Sequence, residues 1–177
     1  MIIRAASEAD SKGLAKVHVD SWKTTYRGLV PDSYLDGLTY DRSAERWQRN
    51  FTNYPDNHVF AAENDSGIIV GFASGGRNRD VDVLFDAELY AIYILEEEQQ
   101  RGLGRALTKA FAKAIVETNG YESMVVWVLA GNTRARRFYE KMGGTLVSGK
   151  QITIGGVSLD EVAYGWPDVA TTIVNGR

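Results

Sequence analysis

The segment from Asp86 to Ala130 restricts the fold more than any other part of the chain. Leu103, Leu107, Ala110, Phe111, Ala114 and Ile115 fall at i, i+4, i+7, i+8, i+11 and i+12. That spacing is one apolar stripe on a helix running from Gly102 to Thr118, closed by Asn119-Gly120. Asp86 to Leu95, before it, is rich in Tyr, Ile and Leu and reads as a strand. Met124 to Ala130, after it, is a continuous apolar run bounded by turns and reads as a buried strand. Alternation of this kind predicts a mixed sheet with helices laid on its faces.

The rest of the chain extends the pattern. Met1 to Ala6 reads as a strand, and Ser7 as a cap for the helix carrying Leu14, Val17, Val19, Trp22 and Tyr26. Pro31 suits the first turn of another short helix, and Asp41 to Phe51 reads as a further one. His58 to Glu63 and Gly67 to Gly75 read as strands joined by the turn residues Asn64-Asp65-Ser66-Gly67. Asn132 to Met142 reads as a helix ending at Gly143-Gly144. Thr145 to Ile154 and Val157 to Trp166 read as two strands joined by Gly155-Gly156, and Ala170 to Arg177 is expected to fray. The expected fold class is α/β with a mixed sheet. The expected order is β-α-α-β-β-β-α-β-α-β-β, with two or three helices after the first strand. No repeat or linker divides the 177 residues, so a single domain over 1–177 is expected.

Composition excludes several kinds of chemistry. There is no Cys, so disulfide scaffolds, thiolate zinc sites and Cys nucleophiles are out. His18 and His58 are the two histidines, so no His-rich metal site is expected. The formal net charge of −3 offers no global attraction to nucleic acid or an anionic membrane. Neither a signal-peptide core nor a membrane-spanning run is present, and a cytoplasmic location is expected.

The turn Gln99-Gln100-Arg101-Gly102-Leu103-Gly104-Arg105-Ala106 joins the strand to the amphipathic helix. Glycines at a helix start leave backbone N–H groups open, and the helix dipole favours an anion there. Arg101 and Arg105 add positive charge. The alternatives are a phosphate cradle and a plain glycine turn. A dinucleotide fingerprint would need a small residue where Leu107 stands, and no P-loop Gly-Lys-Ser/Thr is present.

Gln99-Gln100-Arg101-Gly102-Leu103-Gly104 resembles the Gln/Arg-x-x-Gly-x-Gly/Ala signature of the GNAT family of N-acetyltransferases. Asn132-Thr133-Arg134-Ala135-Arg136-Arg137-Phe138-Tyr139-Glu140-Lys141-Met142-Gly143-Gly144 resembles the family's second hallmark. The family usually has an aromatic after that first Gly; Gly144 departs from this. The element order is similar over nearly the whole chain. The resemblance implies an acyl-CoA N-acyltransferase fold and acetyl-CoA as cosubstrate, with no metal. It implies transfer of the acetyl group directly to a primary amine of a small molecule or peptide.

The same resemblance implies roles for particular residues. Gln99, Gln100, Arg101, Gly102, Leu103, Gly104, Arg105 and Ala106 would bind the pyrophosphate of the coenzyme. The backbone around Ile94 and Leu95 would pair with the pantetheine arm, which Asn132 would also contact while capping its helix. Tyr139 would supply the proton to the leaving thiolate; the other reading is a core aromatic. Glu88 would be the base, or else a solvated strand-end carboxylate. Tyr90 shares its face of the strand and would line the acceptor site. Trp22 and Tyr26, four apart on a helix, would cover that site or pack in the core. Asp80, Asp82, Asp86 and Glu88 would favour a cationic amine or form a solvated loop. Arg105, Lys109 and Lys113 form a basic stripe that either meets a coenzyme phosphate or faces solvent. No nucleic-acid or membrane partner is expected, and a homodimer is left open. The alternative function is a non-catalytic acyl-CoA-binding sensor.

Overall fold

β-branched and aromatic runs separated by glycine and Asx turns become the strands of one seven-stranded mixed sheet, in the order β1-β2-β3-β4-β5-β7-β6. The computed structural model describes Met1 to Gly176. The strands are β1 (Ile2–Ala5), β2 (His58–Glu63), β3 (Ile69–Arg77), β4 (Ala87–Ile94), β5 (Met124–Leu129), β6 (Thr145–Ile154) and β7 (Val157–Trp166). The longer helices are α1 (Ser11–Thr25), α2 (Asp32–Asp36), α3 (Tyr40–Asn53), α4 (Leu103–Asn119) and α5 (Thr133–Lys141). Three helices, not two, therefore separate β1 from β2, with the five-residue α2 starting behind Pro31.

Caps and turns set the boundaries. Ser7 and Asp10 form a capping box on the short 3-10 turn Glu8–Asp10 that leads into α1. Asn132 Oδ1 accepts the Ala135 amide at 3.1 Å and starts α5. Gly120, in the left-handed region at φ 67°, ends α4.

Helices cover both faces. α1 and α3 lie on one face, where the Trp47 and Phe72 rings meet edge to face at 5.0 Å. α4 lies on the other, with Leu107, Phe111 and Ile115 fully buried. α5 shares that face, and Tyr139 sits against Tyr164 and Trp166 of β7. The expected frayed tail is instead partly in the core. Residues 170–174 form a short π-helical turn, Val169 and Ile173 are buried, and the Val169 amide donates to Glu122 O at 2.9 Å. Apolar spacing, not distance from the terminus, decides this. Arg177 lies outside the described residues.

One irregularity positions the site. Every neighbouring pair of strands is antiparallel except β4 and β5, which run parallel and pair only at Ala87–Met124 and Glu88–Val125. Beyond Glu88 the two strands diverge. A bulge in the β3–β4 ladder sits at the same place: Gly75 pairs with Leu89 and Ser74 with Ala91, so Tyr90 is left over. A Cβ on Gly75 would come within 2.3 Å of Glu88 O and 2.5 Å of Phe111 Cζ, so only glycine lets the bulged strands and α4 approach this closely.

Candidate active site

The divergence of β4 and β5 opens a groove of about 850 Å³. β4 from Tyr90 to Ile94 forms one wall, and Val126, Trp127 and Val128 of β5 form the other. α5 flanks it, the turn before α4 closes one end, and Thr24, Thr25 and Tyr26 border it at the end of α1. Its volume suits a sizeable organic ligand.

The closed end is made of backbone. Among the described residues, no main-chain carbonyl accepts the amides of residues 100–105. The next amide to be satisfied is that of Ala106, on Gly102 O at 3.1 Å. Gly102 lies at φ 83° and Gln100 at φ 63°, both left-handed. The second is unusual for a residue with a side chain and costs about 1–2 kcal/mol. Gln99 Nε2 donates to Ile94 O at 2.9 Å and ties this turn to the end of β4. A Cβ on Gly104 would lie 3.2 Å from the Phe138 ring, so α5 packs directly on the turn. Open amides at the start of a 17-residue helix form an anion site.

Tyr139 stands in the wall of the groove at 5% exposure. Burial first, and the neighbouring Tyr26 phenol second, push its hydroxyl pKa well above the ordinary tyrosine value. It is therefore neutral throughout the physiological range and holds a proton to give. Glu140 accepts from the Tyr164 hydroxyl at 2.7 Å, and Arg136 donates to it at 3.1 Å, which holds the ring packed against Tyr139.

Tyr26 and Tyr93 reach the same region, their hydroxyls 3.3 Å apart. Burial raises the pKa of both. Trp22 lies behind Tyr26, ring centroids 4.8 Å apart, and does not line the groove. His18 packs on Trp22 and Tyr93; burial and the Arg46 charge push its pKa down to about 4.

At the open end, side chains dominate. Arg79 holds Glu88 with Nη2 at 2.5 Å from Oε1 and Nε at 3.0 Å from Oε2. The Arg79 guanidinium also lies 3.8 Å from the centre of the Tyr90 ring. Lys150 repeats the device, 3.8 Å from the centre of the Trp127 ring and 2.5 Å from Asp80 Oδ2. Asp86 is engaged by the amides of Glu122 and Ser123. The acidic cluster of the sequence is thus largely consumed by the protein's own donors.

The groove brings together Ile94, Gln99, Gln100, Gly102, Gly104 and Arg105 with Asn132 and Tyr139, and with Tyr26 and Tyr90. Six of the residues given a coenzyme-binding, catalytic or acceptor-site role do not line it. Leu95 is buried and its amide donates to Val70 O. The Arg101 side chain turns away to Glu98. Leu103 faces the core, leaving only its amide to the turn, and the Ala106 amide is used by the helix. Trp22 backs Tyr26, and Glu88, 4% exposed, is clamped by Arg79. Of the stripe Arg105, Lys109 and Lys113, Arg105 alone borders the groove.

The sequence reading missed Tyr93, Trp127, Arg134, Arg137 and Lys141, which also line it. The last three had a legible signal, since i, i+3 and i+7 share one face of α5. No cluster of His, Asp and Glu that could hold a metal occurs among the described residues, and no helix there is long and apolar enough to cross a membrane.

Residues 21–144 match the acetyltransferase (GNAT) family model. The chain is 40% identical over 175 residues to the uncharacterized N-acetyltransferase YuaI of Bacillus subtilis strain 168, covering 98% of each chain. Among solved structures it resembles the ribosomal-protein-alanine N-acetyltransferase of Brucella melitensis. That match has a TM-score of 0.73 and 22% identity, covering 94% of this chain and 99% of that one. It also resembles the PaiA N-acetyltransferase of Thermoplasma acidophilum, solved in complex with coenzyme A. There the TM-score is 0.67 at 24% identity, with 90% and 96% covered. The chain belongs to the GNAT family of acetyltransferases and is an acyltransferase.

Proposed function

We propose that the protein transfers the acetyl group of acetyl-CoA directly to a primary amine of a small molecule or peptide. The observation that carries this reading is the groove between the parted strands, with free amides at one end and Tyr139 in its wall. The amides of residues 100–105 would hold the pyrophosphate, with Arg105 beside it. The β5-facing edge of β4 beyond Glu88 has no strand partner, so its main chain there is open to pairing with the extended pantetheine arm. That the PaiA relative was solved with coenzyme A supports the same ligand here.

In the transfer, the amine nitrogen bonds to the thioester carbon, the carbon–sulfur bond breaks, and Tyr139 gives the leaving sulfur its proton. Asn132 caps α5 and holds that helix at the groove. Glu88 can take the amine proton in this scheme only after parting from Arg79.

The test is thermal unfolding with coenzyme A, acetyl-CoA, NAD or ATP at equal concentration, followed by amine-dependent thiol release from acetyl-CoA. Stabilisation by the first two and release with at least one amine are expected. Stabilisation without release from any primary amine would leave an acyl-CoA sensor.

A further inference from the structure

Carboxylates around the open end of the groove differ in what holds them. Lys150 takes Asp80, Arg79 takes Glu88, and backbone amides take Asp86. Glu161 of β7, half-buried, has no cation within 4 Å among the described residues. It stands directly opposite Leu129 of β5 and Lys150 of β6, so its side chain shares their face of the sheet. Leu129 packs with Tyr26 on that face, and Trp127 lies two residues back along β5. Tyr26 and Trp127 both line the groove. Glu161 itself is not among the residues that line the groove; it stands beside it, on the sheet face of Leu129 and Lys150.

We propose that Glu161 is the proton acceptor for the attacking amine, a role that rests on the acetyl-transfer reading above. As the carbon–nitrogen bond forms, the nitrogen becomes acidic and its proton passes through one water to the Glu161 carboxylate. Tyr139 protonates the sulfur and regains a proton from solvent, and Glu161 returns its own proton to solvent after the product leaves. The charged and titratable groups facing Glu161 are Arg79, Asp80 and Glu88 from the β3–β4 side, Lys150 from β6 and Tyr26 from α1. Burial raises its pKa, and Glu88 and Asp80 raise it further against the opposing pull of Lys150 and Arg79. A carboxylate whose pKa is raised is a stronger base than an ordinary one. Glu88 lacks this freedom because Arg79 occupies both its oxygens.

The experiment compares the wild type with Glu161→Gln, Glu161→Asp and Glu88→Gln. Acetyl-CoA and a panel containing spermidine, lysine, tyramine and an alanyl peptide are the probes, with free thiol read from pH 5 to 9. Coenzyme A affinity is read by calorimetry. The expectation is that Glu161→Gln lowers kcat/KM for the amine by about 10²-fold and removes the acidic limb. Coenzyme A affinity should stay within about threefold, and Glu161→Asp should recover part of the rate with its limb. An unchanged rate and profile in Glu161→Gln, with loss in Glu88→Gln, would overturn the assignment in favour of Glu88. Loss of coenzyme affinity alongside activity in Glu161→Gln would overturn it in favour of a structural role. A wild type that releases no thiol with any amine would instead overturn the acetyl-transfer reading, and this assignment with it.

Discussion

The two ends of the groove are built on different principles. At the end proposed for the coenzyme, one continuous turn presents main-chain amides, while the Arg101 and Leu103 side chains point elsewhere. At the end proposed for the acceptor, Tyr26, Tyr90 and Trp127 of the lining and Arg79, Lys150 and Glu161 beside it come from six separate stretches of the chain. Main-chain recognition tolerates side-chain change as long as the glycines remain. Side-chain recognition changes with each substitution. A family can therefore keep one coenzyme while its acceptors diverge, and the predictions below test how independent the two ends are.

The largest expected effect is on the stability of the acceptor end in acid. His18 is buried against Trp22 and Tyr93 and titrates near 4, below the ordinary 6.5. Between those values the unfolded chain binds more protons than the folded one. The stabilisation is complete above pH 6.5 and is lost as the pH falls toward 4, by about 3 kcal/mol for this group. Melting curves across that window should fall more steeply for the wild type than for His18→Gln. Parallel curves would show that His18 does not govern the acid sensitivity of this end.

Next comes Tyr139, where the two ends meet. Tyr139→Phe keeps the ring against Tyr164 and Trp166 and removes only the hydroxyl. A single-turnover rate lower by about 10²-fold is expected, with coenzyme A affinity changed less than threefold. Product release must be shown not to limit the measurement. A wild-type rate would make Tyr139 a packing residue.

The smallest effect should fall on the coenzyme end alone. Gly104→Val places a branched side chain where even a Cβ lies 3.2 Å from Phe138, beside the open amides. Coenzyme A affinity should weaken about tenfold, or ~1.4 kcal/mol, in a folded protein. If calorimetry finds it unchanged, the coenzyme is held elsewhere in the groove.

The legibility of the two ends follows from the same contrast. The β4–α4 turn and α5 are contiguous, and their cues are local: glycine at a left-handed position, an Asn cap, and a 3.6-residue apolar period. Strands β6 and β7 agree with the sequence reading at both limits because Gly155-Gly156 and the Gly143-Gly144 turn mark them. Trp127 and Tyr93 escaped notice because an apolar run does not reveal which of its members will face a gap. The tail was misread because Val169 and Ile173 meet the core only once the helices are placed.

Local chemistry along the chain was thus enough to specify a mixed α/β fold, a glycine turn with open amides at the start of α4, and Tyr139 on the capped helix α5. Backbone conformation and periodic burial depend on near neighbours, which a sequence displays. Only the folded sheet decided that β4 and β5 part after Glu88, that Arg79 closes on Glu88, and that Glu161 has no cation within 4 Å among the described residues. Those outcomes depend on strand pairing and on competition among charges that lie far apart in the chain. Such contacts are settled by the geometry of the whole sheet, and no short segment records them.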